Sequence, residues 1–201
     1  AEQERFEELA ATAAVSPHDA QIQIRYIDGL RRGGAKRKAE HQLKRFLAEN
    51  PDSAAGYLEL AALLTAGKRQ IPKKASESAE KALTLGLAEP GQVAYANELI
   101  GRYKLESGQV EGAINNFSEA LANLPGNDPM RIHIHVLRSQ AFRRQRRYDE
   151  SYRDIQQIIG YAQKTGDKAS MAMARQELET LENHAGKSFG AAHLEIQQFE
   201  E

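Results

Sequence analysis

The sequence predicts an all-α chain built of antiparallel helix hairpins stacked into an array. Three observations lead there. Apolar residues recur three and four positions apart in almost every segment, the spacing of one helix face. Glycine and proline interrupt that pattern at near-regular intervals, with Pro17 and Pro51 standing 34 residues apart. Residues 94–127, AYANELIGRYKLESGQVEGAINNFSEALANLPGN, read as two amphipathic helices joined at Gly108 and closed by Pro125 and Gly126. The small and aromatic positions of that unit return elsewhere in the chain.

Residues 2–16 place Phe6, Leu9, Ala10 and Ala13 on one face. Ser16 and Pro17 end this helix, because the residue before proline is pushed out of the α region. It reads as a cap or as the second half of a hairpin. Residues 20–53 form the first full hairpin, with Ile22, Tyr26, Ile27 and Leu30 on one helix, Ala39, Leu43, Phe46 and Leu47 on the other, and Gly33 and Gly34 in the turn. Residues 54–90 form the next, after an N-cap at Asp52 or Ser53. Tyr57, Leu60, Ala61 and Leu64 line its first helix, and Ala75, Ala79 and Ala82 give the second a small face that permits close approach.

In residues 94–127, Ile100 and Leu105 precede the turn, and Ala113, Ile114, Phe117, Ala120 and Leu121 follow it. Residues 130–164 repeat the plan with Ile132, Ile134, Leu137, Ala141 and Phe142, then Tyr152, Ile155, Ile158 and Ile159. The segment RIHIHVL at 131–137 also alternates like a strand, but a lone strand among helices would lack a pairing partner, so a helix is expected. Residues 168–184 carry Met171, Ala174, Leu178 and Leu181 on one face and polar residues on the other. That is the form of a terminal capping helix, since an array must end without exposing its last packing surface. The expectation is one repeat domain over residues 1–185, then a tail at 186–201 that is either a further short helix or irregular.

The 41% hydrophobic content supports a core, and 27% charged residues predict a well-solvated, soluble chain. No apolar run approaches the roughly 18 residues of a membrane-spanning helix. A formal net charge of −1 lacks the basic excess of a nucleic-acid or anionic-membrane binder, which argues against nucleic acid as the main partner. With no cysteine there is no disulfide framework, thiolate zinc site or thiol nucleophile. The compartment stays open between cytoplasm and periplasm, the latter if a leader preceded Ala1, and a place in a longer chain or larger assembly is expected.

The small residue early in each second helix puts the hairpins in register: Ala39, Ala75, Ala113 and Ser151 are separated by 36, 38 and 38 residues. In the clearest unit Ile100 and Gly101, then Gly108, Ala113, Phe117, Ala120 and Pro125, follow the pattern Leu-Gly, turn glycine, Ala, aromatic, Ala, Pro, while Asn97 and Lys104 depart from it. This resembles the tetratricopeptide repeat family. The resemblance implies a right-handed α-α superhelix whose first helices line a concave groove, and a scaffold or adaptor that binds a peptide or protein surface there. It implies no catalytic residues and no cofactor. The lysine–asparagine–arginine clamp of the chaperone-tail members is absent, because Ile24, Asp28, Glu59, Tyr95 and Leu99 stand at its positions.

The groove face of each first helix is a stripe at i, i+3, i+7 and i+10. It runs through Gln21, Ile24, Asp28 and Arg31, then Ala55, Leu58, Ala62 and Thr65. It continues through Tyr95, Glu98, Arg102 and Leu105, then His133, Val136, Gln140 and Arg143. The last two rows, with Asp28 and Arg31, mix an aromatic, a histidine, charges of both signs and apolar side chains, and form the candidate partner-binding set. A homo-oligomer formed through the groove or the tail is a further expectation.

Basic clusters mark three hairpin turns: Arg31, Arg32, Lys36, Arg37 and Lys38; Lys68, Arg69, Lys73 and Lys74; Arg143, Arg144, Arg146 and Arg147. They make an acidic partner or a nucleic acid the alternative ligand. His133 and His135 fall on different sides of a helix, so no metal site is expected from them. Ala185-Gly186-Lys187-Ser188 resembles the end of a phosphate loop but lacks its earlier glycine and a preceding strand. Asn116-Phe117-Ser118 fits a glycosylation triplet, yet Phe117 is expected in the core.

Overall fold

Capping side chains and apolar spacing set the elements. In a computed structural model, the described residues are 2–200, so Ala1 and Glu201 lie outside them. These residues form eleven helices and no strand: α1 Glu2–Val15, α2 Ala20–Arg32, α3 Lys36–Glu49, α4 Ala54–Thr65, α5 Lys73–Leu85, α6 Pro90–Glu106, α7 Val110–Asn123, α8 Met130–Arg144, α9 Tyr148–Thr165, α10 Lys168–Ala185 and α11 Gly190–Glu200. The chain is all-α, as the periodicity predicts, and RIHIHVL lies in α8. Asp19, Ser53 and Asp167 cap α2, α4 and α10 by accepting backbone N–H groups of the first turn. Among the described residues no helix is long and apolar enough to cross a membrane.

Two compact units divide the chain, Ala1–Ile100 and Gly101–Glu201. In the first, Ile27, Leu30, Ala39, Leu43, Phe46 and Leu63 make one buried cluster. Phe6 of α1 stacks on Tyr26 with ring centroids 5.8 Å apart. Ala61, Ala75, Ala79 and Ala82 are fully buried between α4 and α5, as their small face predicts.

The second unit centres on Ile132, Ile155, Ile158, Ile159, Met171, Leu178 and Leu181. Gly101 admits the ring of Phe117, since a Cβ there would stand 2.6 Å from its Cε1. At the corresponding place in the next hairpin, the buried Ser139 and Ser151 hydroxyls bond each other at 2.8 Å. The segment left open by sequence contains α11, which pairs with α10 as a fifth hairpin. Ala192 and Ile196 bury themselves on this core, and Phe189 stacks on Tyr152 at 4.4 Å. Ala192 and Ile196 repeat the four-residue spacing of Ala113 and Phe117 and of Ser151 and Ile155.

Candidate functional site

The predicted stripe residues Asp28, Arg31, Tyr95 and Glu98 fall in the first unit, where ion pairing joins Asp28 and Arg31 of α2 to α4. Arg31, one residue from the end of α2, donates from Nε to Glu59 Oε1 on α4 at 2.5 Å and also bonds the Asp28 carboxylate. Glu59 and Glu98 are buried. Burial pushes the Glu59 carboxyl above its ordinary range, against the pull of the Arg31 hydrogen bond and charge. Burial likewise raises the Tyr95 phenol, the Glu98 charge adds to the effect, and a hydrogen bond with Thr65 works against it. These side chains hold first helices against one another.

In the second unit, α8 presents His133, Val136, Gln140 and Arg143 towards α10. Gln140 Nε2 and Arg143 Nη1 donate to the two Glu177 oxygens at 3.2 and 2.5 Å. Both charges are nearly buried, with side chains 9% and 12% exposed, so the pair is part of the packing between the two helices. Leu105 is buried, and its carbonyl accepts from Arg144 Nη1 at 2.7 Å. Arg102 is half-buried.

His133 and Val136 remain at a hollow of about 360 Å³ between α8 and α10, whose other walls include Tyr161, Met173, Gln176 and Glu177. Met173 is 47% exposed. Sequence reasoning passed over Met173 and Glu177 by treating the outer face of the last predicted helix as solvated. The same i, i+3, i+7 stripe continued onto Ser170, Met173 and Glu177 would have found them.

A second polar group sits inside the unit. Asp154 on α9, 1% exposed, accepts from Arg138 Nε and Nη2 at 3.0 and 2.7 Å and pairs with His135 Nδ1 at 2.8 Å. Arg138 Nη1 also donates to Ser118 Oγ of α7 at 2.9 Å. A bidentate carboxylate–guanidinium pair this enclosed ties three helices together. Among the described residues no group of three or more histidine, aspartate or glutamate side chains is placed to hold a metal ion.

No family model matches the chain, and no curated protein matches it by sequence. Solved structures do. BtubC from P. vanneervenii is 19% identical, with a TM-score of 0.74 over 99% of this chain and 87% of its own. TTC0263, a thermophilic TPR protein of Thermus thermophilus, is 16% identical, with a TM-score of 0.61 over 86% of this chain and 88% of its own. YrrB, a TPR protein with an unusual peptide-binding site, is 14% identical, with a TM-score of 0.62 over 97% of this chain and 98% of its own. Helix hairpins in register and this likeness together give the chain the tetratricopeptide-repeat fold.

Proposed function

We propose that the chain is a non-enzymatic scaffold that binds a peptide or protein segment along its first helices, with an apolar side chain of the ligand entering the hollow between α8 and α10. The observation that carries this reading is the exposed Met173 facing Val136 across that hollow, with His133 and Gln176 among its polar walls. An apolar recess with a few polar groups at its edge is the usual form of a side-chain pocket, and an unbranched thioether adapts to differently shaped partners. YrrB, of the same fold, is described as having a peptide-binding site. On this reading the paired residues Gln140 and Arg143 stand beside the hollow, and His133, Val136 and Met173 meet the ligand.

Selection from a displayed peptide library against the purified chain tests it. Peptides with a large apolar residue are expected, and Met173→Glu is expected to weaken them at least about tenfold by removing roughly 1.5–3 kcal/mol of apolar burial. Failure to select any peptide, or selected peptides that bind Met173→Glu undiminished, would sink the reading.

A further inference from the structure

Three hairpin turns are rich in lysine and arginine, and the structure uses them in opposite ways. In the second unit the cations of residues 143–147 are largely consumed. Arg143 is paired with Glu177, and Arg144 donates to the Leu105 carbonyl. Arg147 reaches Glu111 and Glu150 at 3.3 and 3.0 Å and lies 4.6 Å from the centre of the Phe142 ring. In the first unit the turns after α2 and α4 carry no acidic residue over residues 31–38 or 66–74. There Lys36, Arg37, Lys38, Lys68, Arg69 and Lys74 are all exposed, and none makes an ion pair among the described residues.

The two turns share an edge of that unit. Hairpin helices alternate in direction, so α2 and α4 run the same way, and they pack on each other. Their C-terminal ends therefore open on one side, and packed helices stand about 10 Å apart. The mutual repulsion of six unpaired cations is unfavourable unless an anion covers them. We infer that this edge is a docking surface for an acidic protein segment, separate from the hollow on α8 and α10.

Carboxylates fit this edge better than a nucleic acid. Neither turn contains an aromatic residue on which a base would stack. An extended segment advances about 3.3 Å per residue, so carboxylates three residues apart reach from one turn to the next.

The test is fluorescence anisotropy of the full chain with three labelled probes: a glutamate-rich peptide, its glutamine counterpart and a single-stranded RNA. Binding of the glutamate peptide alone is expected, weakening at least about fivefold as salt rises from roughly 50 to 300 mM and screening shortens. The triple variant Lys68→Glu, Arg69→Glu, Lys74→Glu is expected to weaken it at least about tenfold, and Lys36→Glu with Arg37→Glu to act the same way from the other turn. Arg146→Glu, Lys164→Glu, Lys168→Glu makes the same charge change on exposed residues of the second unit and is expected to leave binding within about twofold. Circular dichroism checks that each variant folds. RNA binding as tight as the glutamate peptide overturns the assignment to protein carboxylates. No binding of that peptide at low salt, or equal loss in the second-unit variant, overturns the site itself.

Discussion

Arg146 has φ of 58°, the one non-glycine in the left-handed region among the described residues. Between α2 and α3 the corresponding turn position is Gly34, and between α6 and α7 it is Gly108, with φ of 78° and 79°. Only glycine enters that region without steric cost, and an L residue there gives up about 1–2 kcal/mol. Glycine in turn gives back part of this through the greater freedom of the unfolded chain, so Arg146→Gly is expected to raise stability by roughly 0.5–1 kcal/mol. A higher urea midpoint at unchanged slope is the readout, and an unchanged or lower midpoint would show the turn to be unstrained. Residue chemistry of this kind is only half visible in a sequence. The glycines at other turns suggest the conformation, but the arginine that must adopt it looks like part of a charged surface.

Glu182 fastens α11 to α10. Its Oε1 accepts the Phe189 backbone N–H at 2.7 Å and the Ser188 hydroxyl at 3.0 Å, and it pairs with His193 Nε2 at 3.0 Å. Burial works to raise this carboxyl, but the hydrogen bonds from Phe189, His193 and Ser188 outweigh it and hold it below its ordinary 4.5. A folded-state value below the unfolded one means stability that is present above pH 4.5 and lost as pH falls through the lowered value. Hydrogen exchange along α11 should therefore quicken in acid before the rest of the second unit opens, and Glu182→Gln should quicken it at neutral pH while flattening the acid response. An α11 that stays as protected as α9 throughout would refute this fastening. The sequence shows α1 to α10 through apolar spacing and turn residues, but not the role of α11. Both α9 and α10 run to 18 residues against 14 for α7. The next small register residue, Ala192, consequently falls 41 positions after Ser151, outside the 36 to 38 of the other units. The groove set was legible as a face and illegible as a surface. Periodicity puts Arg31 and Arg143 on one face of their own helices, but their partners Glu59 and Glu177 lie 28 and 34 positions away on other helices.

Across the whole chain the charges nearly cancel, with a sequence pI near 6.7. Proteins associate most readily where net repulsion vanishes. Light scattering against pH at low ionic strength is therefore expected to peak close to that value, and a flat profile from about pH 5.5 to 8 would contradict it. The hairpins also differ from one another at a shared contact. Ser139 and Ser151 stand where the preceding hairpin has Gly101 and Ala113. Losing Ser139 alone strands the buried Ser151 hydroxyl, at about 1–3 kcal/mol, and removing both hydroxyls recovers part of that cost. For a lineage drifting one substitution at a time, the hydroxyl pair and the glycine–alanine pair are two valleys with a ridge between them. Two hairpins copied from one ancestor can thus stay different at this contact through inheritance alone, with no difference in the ligand that either one meets.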